Sequence, residues 1–288
     1  MKKIFVIFLF LAGCADSDFL DKTRIDGSII RGQVVHENDA TYKHVALIVH
    51  NFKYAGAKHS FSSICTAVVL DQTHLLTAAH CAENFENSRV LLVQNALNTS
   101  VDEKLIYKIE NTIIHESYDL QSEDKENENY DIAILKVDRL LDTKEFNPGY
   151  LELPTTQIFL KKSDPKKLNP TILGYGRSST LATLPNDMTE NAVSGILRKT
   201  QIKIDDFKYS KKQIIIDQRN KPGLCMGDSG GPLFIHRDGQ LYLQGLSVAV
   251  LKHGKNKDTV NNACDDTGII LNLDFLKDWI QNQLTNSI

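Results

Sequence analysis

Apolar residues along this chain come in short bursts. The stretches Val45–Val49, Ala67–Leu70, Val90–Val93, Ile132–Val137, Thr171–Leu173, Gln213–Ile216, Leu241–Val250 and Gly268–Leu273 are rich in β-branched residues, with polar loops between them. Runs of this length and composition predict strands, and their recurrence predicts an all-β barrel or sandwich. One segment departs from the pattern. From Asp274 to Leu284 the residues Phe275, Leu276, Trp279, Ile280 and Leu284 fall at helical spacing, with Asp274 placed to cap the helix. The expectation is a β protein closed by a C-terminal helix.

A further apolar run, Ile4 to Ala12, follows Lys2 and Lys3. It is too short for the roughly 20 residues of a membrane-spanning helix but suits a signal peptide. The run ends Leu11-Ala12-Gly13-Cys14, which resembles the lipobox of bacterial lipoproteins. That resemblance implies removal of residues 1–13 and an acylated Cys14 that anchors the chain in a bilayer. A plain secretory signal with an incidental cysteine is the alternative. Ala15, not Asp, follows Cys14, so inner-membrane retention is not signalled, and the expected location is the bacterial envelope, at the outer membrane or cell surface. Residues 15–28 are polar, with four Asp, and read as a tether or propeptide.

Composition narrows the classes. At 288 residues, 42% hydrophobic and 24% charged, the chain is an ordinary globular protein rather than a disordered or collagenous one. Lys and Arg total 33 against 36 Asp and Glu, so no basic stripe offers itself to nucleic acid. Loss of Lys2 and Lys3 would leave 31 against 36, a net −5. A mean hydropathy of −0.25 argues against a multispan membrane protein. Export permits disulfides, and beyond Cys14 four cysteines remain, Cys65, Cys81, Cys225 and Cys264, which allow three pairings. No C-x-x-C or paired-His spacing is present, so neither a metal nor another cofactor is expected. Six acidic residues and one Lys between Glu116 and Tyr130 lack EF-hand spacing and read as a solvated loop. Lys161, Lys162, Lys166 and Lys167 flank Asp164-Pro165 and read as an exposed turn.

The chemistry concentrates in Gly227-Asp228-Ser229-Gly230-Gly231-Pro232. A Ser between glycines permits a tight turn whose N–H groups converge on an oxyanion. Upstream lie Thr77-Ala78-Ala79-His80-Cys81 and Asn129-Tyr130-Asp131-Ile132-Ala133, so His, Asp and Ser follow in order, 51 and 98 residues apart. From about Ile29 to the C-terminus the chain thereby resembles the chymotrypsin/trypsin-like serine proteases. Leu173-Gly174-Tyr175-Gly176 resembles the family's Gly-aromatic-Gly turn. Thr267-Gly268-Ile269-Ile270 and Trp279-Ile280 resemble its last strand and closing helix.

The resemblance implies two six-stranded antiparallel β-barrels with a C-terminal α-helix, in a monomeric domain spanning 29–288 that acts on proteins or peptides. It implies Ser229 as nucleophile, His80 as general base and acid, Asp131 as the partner of His80, and an oxyanion hole from the N–H groups of Gly227 and Ser229. It implies the bridges Cys65–Cys81 and Cys225–Cys264. Gly223 falls at the floor of the primary specificity pocket, where an Asp would select Arg or Lys, and Leu224 follows it. Gly268 falls at one wall and Val250 at another, with Ala249 the alternative one residue away. These residues imply a neutral pocket for small or medium apolar side chains. Either Ser247 or Val248 falls where a hydroxyl ordinarily meets the catalytic Asp. Finally, Ile29-Ile30-Arg31-Gly32 resembles the start of the mature enzyme, whose new amino group pairs with the Asp before the nucleophile, here Asp228; Arg24-Ile25-Asp26-Gly27 is a rival cut site. Two other classes compete: a silent protease-like binding lipoprotein, which has no need of an intact His80, Asp131 and Ser229, and an esterase on another fold, against which stand the order His-Asp-Ser and a motif that is not set in a strand–helix elbow.

Overall fold

A computed structural model describes residues 29–55, 58–83, 85–97, 101–119, 130–141, 169–178, 194–203, 207–237, 239–251 and 264–286. The expected signal peptide, Cys14 and the expected tether, the lysines at 161–167, most of the acidic stretch and residues 252–263 lie outside them. Among the described residues no helix is long and apolar enough to cross a membrane.

Six strands close a barrel: β2 (Val45–His50), β5 (Ser63–Val69), β6 (His74–Thr77), β9 (Ala133–Val137), β8 (Ile106–Ile114) and β7 (Arg89–Leu91), in that spatial order. β3 (Lys53–Ala55) and β4 (Lys58–Ser60) form a small separate hairpin. The other strands make one eight-stranded sheet: β1 (Gln33–Val34), β11 (Arg198–Gln201), β10 (Asn169–Gly174), β14 (Pro232–Arg237), β15 (Gln240–Leu251), β16 (Thr267–Asn272), β13 (Gln213–Asp217) and β12 (Phe207–Tyr209). Every pairing is antiparallel. The expected second six-stranded barrel is therefore an eight-stranded sheet that does not close among the described residues, with β1 and β12 at its edges. Val45 through Val49 are wholly buried, which explains an unbroken apolar run where a one-faced strand would alternate.

The closing helix differs in its first turn. Leu273–Leu276 is a 3-10 turn and the α-helix α1 runs Lys277–Asn286. The Asn272 side chain, not Asp274, provides the cap, accepting a hydrogen bond from the Asp274 N–H at 3.2 Å. Asn and Asp satisfy an orphan N–H equally well, and the 3-10 turn moves the need forward by two residues.

Candidate active site

Pairing of β6 with β9 brings His80 and Asp131 together. Thr77 faces Ala133 across the two strands, so the turn after β6 and the residues before β9 emerge side by side. His80 sits on the 3-10 turn Ala79–Cys81, and its Nδ1 meets Asp131 Oδ2 at 2.7 Å. The backbone N–H of His80 donates to Asp131 Oδ1 at 3.0 Å, so both carboxylate oxygens are engaged. Burial opposes protonation of His80, but the Asp131 hydrogen bond and charge, with Glu83 nearby, outweigh it and raise its pKa above 6.5.

Ser229 arrives from the other sheet, on the loop just before β14. Thr66 of β5 donates its N–H to the Ser229 carbonyl at 2.8 Å, which fastens this loop to the barrel. Gly230 donates to Ser247 O at 2.7 Å and Ser247 donates back to Gly231 O at 2.8 Å. Gly230 has φ +81°, and a Cβ there would lie 2.1 Å from both Thr66 O and Thr77 Oγ1, so only glycine fits. Among the described residues the N–H groups of Gly227 and Ser229 donate no hydrogen bond to protein. His80 and Ser229 border one cleft of about 230 Å³, whose wall continues through Leu224, Val248, Ala249 and Val250.

The chain joins Cys65 to Cys81 and Cys225 to Cys264. The first bridge ties β5 to the turn carrying His80, and the second ties the Ser229 loop to the segment entering β16. Gly223 exchanges backbone hydrogen bonds with Ile30, at 3.0 and 3.3 Å. Gly268 faces Val250 across β15 and β16, because an irregularity at Val248 lets Ser247 pair with Ile270 and Ala249 with Ile269. The Ser247 hydroxyl is buried without a hydrogen-bond partner among the described residues, so the expected donation to Asp131 is not seen there. Asp228 is buried, accepting hydrogen bonds from the N–H groups of Gly176 and Cys225 at 2.8 Å each. Burial pushes its carboxyl up to about 7 against the pull of those two donors.

Two residues that no motif marked also engage this region. The Thr66 hydroxyl donates to Gly227 O at 2.9 Å and accepts from the Tyr175 N–H at 3.1 Å. Gln218, wholly buried, bonds Leu224 and Cys264 through its side-chain amide. The only sequence signal was a polar residue inside or beside an apolar run.

The Trypsin family model matches residues 42–280. Trypsin Blo t 3 of Blomia tropicalis is 26% identical over 249 residues, 80% of this chain and 84% of that protein. Trypsin theta of Drosophila melanogaster is 26% identical over 243 residues, 82% of this chain and 85% of its own. Transmembrane protease serine 11G of Mus musculus is 25% identical over 227 residues, 76% of this chain and 49% of that protein.

Proposed function

The chain belongs to the trypsin family of serine endopeptidases, and from that premise we propose that Ser229, His80 and Asp131 carry out peptide hydrolysis through an acyl-enzyme. Ser229 Oγ attacks the scissile carbonyl while His80 takes its proton, then returns it to the leaving amine; water repeats the sequence on the ester. Asp131 holds the tautomer with hydrogen on Nδ1 and stabilises the imidazolium. The uncommitted N–H groups of Gly227 and Ser229 receive the oxyanion, each such donor being worth about 2.7–4 kcal/mol in comparable sites. The observation that carries this reading is the 2.7 Å His80–Asp131 bond in the wall of the cleft that Ser229 borders. A fluorophosphonate probe should label wild-type protein on Ser229 and leave Ser229→Ala unmarked. Equal labelling of both would defeat the assignment.

Substrate preference is for small or medium apolar residues before the scissile bond. Leu224 and Val250 line the cleft, and no carboxylate stands at Gly223 to receive Arg or Lys.

Activation is by cleavage between Ser28 and Ile29. Ile29 is wholly buried, packed with Leu224, and Ile30 is stapled to Gly223. Ile29 has φ +49°, a left-handed conformation that a β-branched residue adopts at a cost of about 1–3 kcal/mol. That dihedral exists only while residue 28 is attached, so cutting there releases the strain and frees an ammonium for the unpaired Asp228. The chain is anchored through lipid on Cys14 in the bacterial envelope, and the same cut would release the protease from its anchor. N-terminal sequencing of the active species should read Ile29, in the soluble fraction; full activity in material still starting at acylated Cys14 would refute this.

A further inference from the structure

We propose that Gln218 sets the depth of the specificity pocket, a proposal that rests on reading Gly223 and Gly268 as its floor and wall. Both glycines aim their missing side chains at the same group. A Cβ on Gly223 would lie 2.4 Å from Gln218 Oε1, and a Cβ on Gly268 would lie 2.7 Å from it. The carboxamide therefore occupies the space that a floor side chain would otherwise fill.

It is also locked there. Nε2 donates at 2.8 Å to Leu224 O and at 2.8 Å to Cys264 O, using both of its hydrogens, while Oε1 accepts from Leu224 N at 2.9 Å. One side chain thus ties together two segments that the Cys225–Cys264 bridge joins nearby. Swinging the amide aside would strand a buried N–H and two buried carbonyls, so a long substrate side chain cannot displace it at little cost. The open cleft is bordered by Leu224, whose backbone N–H and carbonyl Gln218 holds, and by Val250, and reaches neither Gly223, Gly268 nor Gln218 itself. Gln218 makes the floor shallow and neutral, and the substrate class that fits has a short apolar residue before the scissile bond.

The test uses the expressed chain after cleavage before Ile29, with rates normalised by fluorophosphonate titration of Ser229, which is independent of substrate length. Peptide substrates differ only before the cut: Ala, Val, Leu, Phe or Arg. Wild type should favour Ala and Val over Leu and Phe by about tenfold or more, the discrimination that one or two methylenes command. Gln218→Gly should raise the Leu:Ala ratio of kcat/KM by about tenfold, and Gln218→Asn, whose amide sits one methylene lower, should move it the same way by less. Gly223→Asp alone should not confer Arg cleavage, because its Cβ would meet the Gln218 side chain, whereas Gln218→Gly/Gly223→Asp should. A loss of stability alone would change the number of titrated sites and leave these ratios where they were. Unmoved ratios in a titratable variant, or a wild type that takes Phe as readily as Ala, overturn the proposal. Absence of labelling in wild type would instead overturn the catalytic reading on which it rests.

Discussion

Asp228 should make the uncut chain lose stability as pH rises through neutrality, and the cut at Ile29 should abolish that loss. In the uncut protein its carboxyl stands at about 7, against 3.8 for a free one. The folded state therefore holds a proton that the unfolded state has given up, and stability falls with pH between those values. The contribution is fully present below about 3.8 and gone above about 7. At 1.36 kcal/mol for each tenfold change in proton affinity, the whole span is on the order of 4 kcal/mol, of which roughly 2–3 kcal/mol falls between pH 5 and 8. In the cut chain the proposed pairing of the Ile29 ammonium with the carboxylate should favour ionisation and remove this decline.

The assay compares two Ser229→Ala proteins, one uncut and one beginning at Ile29, by urea unfolding from pH 5 to 8. The residues before Ile29 that only the uncut protein carries include no histidine, so between pH 5 and 8 the difference between the curves reports chiefly Asp228 and the new amine. It should widen by roughly 2–3 kcal/mol in favour of the cut form, and acetylating the Ile29 amine should close it again. Parallel curves would refute the reasoning, because Asp228 would then meet the same environment with and without a free amine. Relief of strain at Ile29 adds an offset that does not vary with pH.

Three further outcomes follow from the site. Activity should fall on acidification with a midpoint above 6.5, since His80 must be neutral to accept a proton and Asp131 holds its pKa up against burial; Asp131→Asn should lower both that midpoint and kcat, the latter by about 10⁴-fold, in pH-rate profiles of titrated enzyme. Thr66→Val removes the hydroxyl between Gly227 O and Tyr175 N and should cut kcat by roughly tenfold at unchanged KM, the worth of one misplaced hydrogen bond, with Thr66→Ser restoring it. Replacing Cys225 and Cys264 together by Ala opens a bridge of sequence separation 39 and should cost about 4 kcal/mol of unfolding free energy; a loss below about 1 kcal/mol would show that the loop is held by other contacts.

Strands buried on both faces were legible because they read as unbroken apolar runs, as in β2 and β16. β6 has only two apolar residues, Leu75 and Leu76, yet His74 through Thr77 are all buried, His74 through its pairing with Asp71 and Thr77 through a bond to Thr66 O. Tertiary partners, invisible in a linear pattern, make those polar residues inward-facing. β8 hides differently, its apolar residues interspersed with Lys108, Glu110 and Asn111 beside an irregularity at Ile109–Asn111. The residues at the cleft divide in the same way. His80, Asp131 and Ser229 stand in motifs whose flanking residues advertise them. Thr66 and Gln218 act through two and three side-chain hydrogen bonds to backbone atoms, one of them 161 residues away, and nothing in their neighbourhood announces it.

Those backbone bonds would let one carboxylate serve as the proposed switch. The Ser229 loop is held by the Thr66 N–H and by the paired bonds between Ser247 and the two glycines, while the Thr66 hydroxyl fixes Gly227. None of these involves Ile29, so the loop has its shape before any cut. The group left wanting is Asp228, which among the described residues receives two N–H donors but no cation and resists ionisation. Gly174 and Gly176 crowd it so closely that a Cβ on either would lie within 2.1 to 2.7 Å of its side chain or its amide nitrogen. In the proposed activation the charge comes with the segment that begins at Ile29, buried in one cluster with Leu224 and stapled to Gly223 through Ile30. A single hydrolysed bond can then act on the charge balance beneath the nucleophile without rebuilding the loop above it.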